Sequence, residues 1–269
     1  MSTFQRFGLG TYQLTGEQCA ESVRTAIDAG YRLIDSAQGY QNEALVREGI
    51  AGSDADASEV FVATKLSTRN LAYEDAIDTA YESAARLGVE SIDLLYVHWP
   101  LNTYDEEGTI EALNELHEAG LVDRVGLSNF RPDQLEAAIE RLDPSLFAHQ
   151  VECHPLLQQE KLRAAAREDG HHLVAYSPLS RGEVGEVEVL QEIAAGHDVT
   201  PFQASIAWLL SKESVAVIPK ATSESHIREN LAAVDLTLTD EEIDRIDAID
   251  TTDRQVDFED APWNQVADD

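Results

Sequence analysis

Four residues in the first hundred have the side chains needed to move a proton onto a carbonyl oxygen: Asp35, Tyr40, Lys65 and His98. Asp35 closes an apolar run through Tyr31, Leu33 and Ile34, and Tyr40 follows five positions later in a polar, glycine-containing loop. Lys65 lies near the end of the run VFVATKL, and His98 directly follows IDLLYV. A phenol is a weak acid, with an ordinary pKa of about 10, and a neighbouring ammonium lowers that value by favouring the phenolate. Asp35 is suited to hold Lys65 charged and aimed, and His98 to orient a carbonyl by a hydrogen bond. Such a set protonates a carbonyl while hydride arrives from elsewhere. Taken alone, residues 31–40 also read as a strand with a capping acid and a surface tyrosine.

These residues can meet only if the chain places them on one rim. The steps from 35 to 65, 65 to 98 and 98 to 128 are 30, 33 and 30 residues, each about the size of one β/α unit. The surrounding pattern supplies such units. Residues 8–14 are strand-like. Helical periodicity through Cys19, Val23, Ala26 and Ile27 ends at Gly30. Further apolar strands are expected at 31–34, 60–66, 92–97, 124–127, 149–153, 173–176 and 215–218. Helices are expected at 42–50, 73–87, 109–119, 132–142, 159–167, 187–195, 201–212, 224–232 and 240–249. Eight strands alternating with helices and no linker-like stretch predict a single (β/α)8 TIM barrel over residues 1–269. Residues 251–269 form an acidic C-terminal tail near the active-site rim, with Phe258 and Trp263 as apolar anchors. A doubly wound sheet is disfavoured because no GxGxxG follows the first strand.

Composition narrows the function further. The 51 acids against 19 Lys plus Arg give a net charge of −32, which opposes nucleic-acid binding because no basic run offers phosphate contacts. With 43% hydrophobic residues spread regularly along the chain, the acidity reads as a carboxylated surface and not as disorder. It points to a salt-rich, halophilic cytoplasm, where screening limits self-repulsion. Cys19 and Cys153 form no CxxC, consistent with a reducing compartment. No apolar run approaches a membrane span. A cytoplasmic monomer is the expectation.

Further along, the chain resembles the aldo-keto reductases. The resemblance is carried by Asp35-Ser36-Ala37-Gln38-Gly39-Tyr40, Thr64-Lys65, Val97-His98-Trp99-Pro100 and Gly126-Leu127-Ser128-Asn129-Phe130. It continues through Gln150-Val151-Glu152-Cys153-His154-Pro155, Tyr176-Ser177-Pro178-Leu179 and Ile218-Pro219-Lys220. These motifs come in family order and cover residues 8–250. The resemblance implies a nicotinamide-dependent reductase of small-molecule aldehydes and ketones. Tyr40 would be the general acid, Asp35 and Lys65 its tuning pair, and His98 the carbonyl-orienting partner. Ser128, Asn129 and Gln150 would hold the carboxamide, and Tyr176 would stack on the nicotinamide. Thr11, Ser177, Leu179, Lys220, Thr222, His226, Glu229 and Asn230 would complete the cofactor site.

The family's grip on the 2′-phosphate is incomplete here. Ala221 stands where a hydroxyl residue usually follows the lysine, His226 replaces an arginine, and Arg228 is out of register. Histidine carries less charge at neutral pH and has no bidentate fork. NADPH remains the expected cofactor of the NADP/NAD pair on the strength of Lys220, with weak discrimination against NADH expected from Ala221 and His226. The loop after His98 is short, which implies an open cleft, with Tyr12, Trp99 and Trp263 as substrate walls. His149, Glu152, Cys153 and His154 resemble metal ligands as a string, but on a strand Cys153 faces away from Glu152 and His154. No metal site is expected. A cofactor-binding regulatory subunit on the same fold is the competing function; the intact proton-donor set argues for turnover.

Overall fold

The computed structural model describes residues 2–265. Eight parallel strands form one sheet in the order β1 to β8. They are β1 (Leu9–Gly10), β2 (Leu33–Asp35), β3 (Phe61–Leu66), β4 (Leu94–Val97), β5 (Val125–Ser128), β6 (Ala148–Glu152), β7 (His172–Tyr176) and β8 (Val215–Val217). The sheet closes on itself: Gly8 N–H donates to Val217 O at 2.9 Å and Gly10 N–H to Pro219 O at 3.2 Å. Gly10 is required at this seam, because a Cβ there would lie 2.7 Å from Ile218 O. The architecture is the expected (β/α)8 barrel.

Two apolar layers hold it together. Inside the barrel, Leu33, Phe61, Leu94, Tyr96, Val174 and Ile218 pack together. Tyr96 needs Gly126 on the neighbouring strand, since a Cβ there would lie 2.4 Å from its ring. Phe4 packs edge-on against Phe61 and Phe147, also part of the inner group. Outside, the opposite strand faces bury against the helices. On α1 (Gly16–Ala29) the buried residues are Cys19, Ser22, Val23, Ala26 and Ile27, one stripe at helical spacing. Gly30 ends that helix at φ 119°, a left-handed conformation that glycine adopts without steric cost.

The helices follow the predicted order. They include α2 (Glu43–Ala51), α3 (Tyr73–Leu87), α4 (Glu106–Glu118), α5 (Pro132–Arg141) and α6 (Glu160–Asp169). After β7 come α7 (Glu188–His197) and α8 (Pro201–Ser211), then α9 (Glu224–Ala232) and α10 (Asp240–Asp247). Thr200 caps α8 in a reciprocal capping box with Gln203. No helix among the described residues is long and apolar enough to cross a membrane. One strand expectation fails. Residues 8–14 supply only Leu9–Gly10, because Thr11 Oγ1 donates to Asp35 O at 2.9 Å and the chain then turns, with Leu14 N–H on Thr11 O.

Candidate active site

The C-terminal ends of the strands border a cleft of about 1050 Å³. Asp35 ends β2, and Lys65 lies one residue from the end of β3. Both are buried, and Lys65 Nζ donates to Asp35 Oδ1 and, at 2.7 Å, to Ser36 O. Gln150 at mid-β6 donates from Nε2 to the other oxygen, Asp35 Oδ2, at 2.7 Å. The carboxylate is therefore bonded through both oxygens to strands on opposite sides of the barrel. Burial raises the Asp35 pKa, and the Lys65 charge and hydrogen bond oppose that. Burial likewise lowers Lys65, opposed by Asp35. In a pair so buried, each charge is the other's main compensation.

Tyr40 lies in a short 3-10 turn, Gln38–Tyr40, above this pair. The Lys65 Nζ lies 5.2 Å from the Tyr40 ring centroid, and the His98 ring meets that ring edge-on at 5.6 Å. The expected lowering of the Tyr40 pKa by Lys65 is not found. Burial, and next the Asp35 charge, hold the phenol well above its ordinary value, because the ammonium is bonded to Asp35 and Ser36 and not to the phenol. His98 is pushed down to about 3 by burial and by the Lys65 charge. At neutral pH the site thus presents a protonated phenol and a neutral imidazole.

The turn that carries Tyr40 is fixed by two amides that the sequence pattern did not single out. Gln38 Oε1 accepts from Ser67 N–H at 2.8 Å, and Gln38 Nε2 donates to Thr79 O at 3.0 Å. Asn42 Nδ2 donates to Thr11 O and Leu14 O, while its Oδ1 accepts from Ser36 Oγ. Together they bind the turn to β1, β3 and α3. Their signal in sequence was only an amide on each side of Tyr40.

Opposite these groups, Asn129 follows β5 with φ 64°. Its Nδ2 donates to His98 O and Ser128 Oγ, each at 3.0 Å, and its Oδ1 accepts from Tyr176 Oη at 2.9 Å. Ser128 Oγ donates to Gln150 O. Thr11, Tyr12, Ser177, Leu179, Lys220, His226, Glu229 and Asn230 also border the cleft. Lys65 sits behind it, and Thr222 and Trp263 do not line it. Trp263 instead packs on Trp99, with ring centroids 5.5 Å apart. Arg181, Gly182, Phe202, Val256 and Phe258 line the cleft without having been expected there. The first two follow Ser177-Pro178-Leu179 in a loop with several left-handed residues, and the last two belong to the tail.

His226 and Lys220 border the cleft beside the N-terminus of α9, which Ser223 caps by accepting from His226 N–H at 3.2 Å. Arg228, one turn on, is bound to Glu224 at 2.9 Å. Glu152 and His154 do share a side, with His154 Nε2 and Glu152 Oε1 2.9 Å apart, while Cys153 Sγ points to Gln158 O. Among the described residues no group of three potential metal ligands is assembled.

Comparisons with known proteins agree with this geometry. The Aldo/keto reductase family model matches residues 6–251. Methylglyoxal reductase DkgB of Escherichia coli O157:H7 is 38% identical over 254 residues, covering 93% of this chain and 94% of that protein. Glyoxal reductase of Bacillus subtilis (strain 168) is 35% identical over 92% of this chain and 90% of its own length. The crystal structure of an aldo-keto reductase from a Medee basin deep-sea metagenome library superposes with TM-score 0.90. It is 32% identical, over 94% of this chain and 93% of that one. The chain belongs to the aldo/keto reductase family, and two of its relatives are named as reductases of methylglyoxal and of glyoxal.

Proposed function

We propose that this protein reduces small aldehydes and ketones with NADPH in preference to NADH, using Tyr40 as the proton donor. The observation that carries the reading is the approach of Tyr40 and His98 above a buried Lys65–Asp35 pair. The small dicarbonyls named for the two relatives, methylglyoxal and glyoxal, are the first substrates to test.

A nicotinamide fits the polar groups present. Asn129 Oδ1 and Gln150 Oε1 keep lone pairs for a carboxamide NH2. Tyr176, fixed through its hydroxyl, offers a flat face for the ring. Ser128 would support the same end by holding Asn129 in place. When bound, the reduced cofactor supplies the hydride.

The chain's own residues do the rest. His98, neutral because its pKa is low, donates a hydrogen bond to the carbonyl oxygen and aims it at Tyr40. Tyr40 passes its proton to that oxygen as negative charge develops there. Lys65, held by Asp35, sits 5.2 Å from the ring, so its charge offsets only part of the cost of the buried phenolate that remains. Gln150 serves both ends, since it also fixes Asp35. Tyr12, Trp99 and the tail form the substrate wall. The tail and barrel act as one unit in this reading, and the part of the expected tail beyond residue 265 lies outside the described residues.

Lys220 and His226 would meet the 2′-phosphate beside the α9 N-terminus, a favourable place for an anion, while Thr222, which does not line the cleft, is left out of that set. Leu179 and Ser177 would border the pyrophosphate, and Glu229 and Asn230 the adenine. The net charge of −32 favours a monomer in a salt-rich cytoplasm. Replacing Tyr40 with Phe tests the whole reading. Loss of general-acid catalysis lowers kcat for methylglyoxal by about 10²- to 10⁴-fold, while NADPH affinity by fluorescence titration stays within about twofold of wild type, under 0.5 kcal/mol. Retained turnover would remove Tyr40 from the mechanism.

A further inference from the structure

Glu152 is a buried carboxylate that the proton-transfer set does not use. It ends β6 next to Tyr176 in register, and it is fully buried with no Lys or Arg bonded to it among the described residues. Its partners are His154 Nε2, 2.9 Å from Oε1, and two backbone amides from the far end of the chain. Gln255 N–H donates to Oε1 at 2.6 Å and Val256 N–H donates to Oε2 at 2.8 Å. Burying an ionised carboxyl is costly unless such bonds compensate it. Here two of the three compensating donors belong to a tail without regular structure around them.

That tail carries the cleft's apolar wall. Val256 and Phe258 line the cleft, and the Trp99 ring packs against Phe258 at 5.1 Å and Trp263 at 5.5 Å. Phe258 remains 41% exposed, so its own burial does not hold it in place. Besides Glu152, the tail is tied by Asp253 N–H to Leu156 O and by Arg131 Nη1 to Pro262 O. Glu152 lies between these two ties and next to the residues that enter the cleft.

We propose that Glu152 is a positioning residue: its carboxylate clamps Gln255 and Val256, and so sets the wall that Val256 and Phe258 present to the substrate. The inference rests on the carbonyl-reductase reading for what the wall binds, but the clamp itself can be tested without turnover. Arg254 immediately precedes the clamped amides, and trypsin cleavage after Arg254 requires that segment to leave Glu152.

The experiment measures trypsin cleavage after Arg254 in the full-length protein for wild type, Glu152→Gln, Glu152→Ala and Val256→Pro. Glu152→Ala is expected to be cleaved at least about tenfold faster, the ratio that loss of one charge-assisted hydrogen bond gives. Glu152→Gln keeps one acceptor oxygen and should fall between it and wild type. Val256→Pro removes one donor from the exposed side and should also accelerate cleavage, which decides the matter if the buried substitutions do not fold. Cleavage after Arg254 at the wild-type rate in the variants that fold would overturn the clamp.

Steady-state kinetics supply the second readout. For an aromatic aldehyde, Glu152→Gln should raise KM several-fold, with kcat for methylglyoxal within about twofold, since the Tyr40 bonds are untouched. Faster cleavage with an unchanged KM would show that the clamp does not shape the substrate wall, and would overturn that part of the proposal. Absence of turnover in wild type would instead refute the reductase reading and leave the cleavage result standing.

Discussion

At the residue scale, the chemistry is set by who is bonded to whom more than by which residues are present. Asp35, Tyr40, Lys65 and His98 were legible in the sequence because each ends or follows an apolar run at near-regular spacing. Their electrostatics were not, because the sequence does not show that the Lys65 ammonium is bonded to Asp35 and Ser36. With that charge compensated, burial wins and the phenol is held well above its ordinary value. The same consideration applies where the cleft meets the N-terminus of α9. Arg228 is nearby in sequence though out of register, and Glu224 holds it; Lys220 and His226 are the side chains that border the cleft there. His226→Arg adds a permanent charge and a planar fork at the α9 N-terminus. The ratio of kcat/KM with NADPH to that with NADH should rise by about tenfold, the value of one charge-assisted hydrogen bond. An unchanged ratio would mean that the phosphate is held elsewhere.

At the element scale, β6 carries loads on both faces. Gln150 points to the cleft and bonds Asp35, whereas His149 faces outward, between register neighbours Leu127 and Leu173 of the outer apolar layer. Neither His149 ring nitrogen has a partner among the described residues. Burial, with His171 nearby, pushes its pKa from 6.5 down to about 3. The folded value lies below the unfolded one, so the unfolded chain takes up a proton that the folded chain refuses. Stability from this residue is complete above pH 6.5 and is lost as pH falls toward 3. Between pH 7 and pH 5 the loss is about 2 kcal/mol. His149→Leu should be more stable than wild type at pH 5 by more than at pH 7, the difference being read from urea unfolding at each pH. Equal gains at the two values would show that His149 does not titrate in this window. The strand itself was predicted at 149–153 and found at Ala148–Glu152, a one-residue offset that left Gln150 in place. What the sequence could not show are the long-range ties: Glu152 to a tail about 100 residues on, and Asn42 back to Thr11 and Leu14. Such contacts leave no period in the chain, and a lone amide or acid in a loop looks the same whether it is latched or solvated. The early turn at Thr11 was missed for the same reason, since it depends on Asp35 O, a partner in another strand.

At the scale of the whole molecule, charge is the dominant unbalanced quantity. Even with every Lys and Arg paired one-to-one with an acid, a net −32 would remain. Several of the ion pairs present are on the surface, such as Arg141–Glu106 and Arg228–Glu224, where each is worth about 0–1 kcal/mol. They do not offset repulsion summed over the surface. Added salt destabilises by weakening the pairs and stabilises by weakening the repulsion. The first effect is slight and the second strong, because the Debye length falls from about 10 Å at 0.1 M to about 3 Å at 1 M. Repulsion among the excess carboxylates outweighs attraction within the few pairs, so the sign of the net effect is fixed. Raising KCl from dilute buffer to 2 M should raise Tm by on the order of 10 °C, corresponding to about 3 kcal/mol for a chain of this size. KCl is the right salt for the test, since sulfate stabilises folded proteins by exclusion from their surfaces whatever their charge. The gain should be largest at the first additions, where screening changes fastest. A Tm that moves only above molar salt, or not at all, would show that the acidic surface is not what limits stability in dilute buffer.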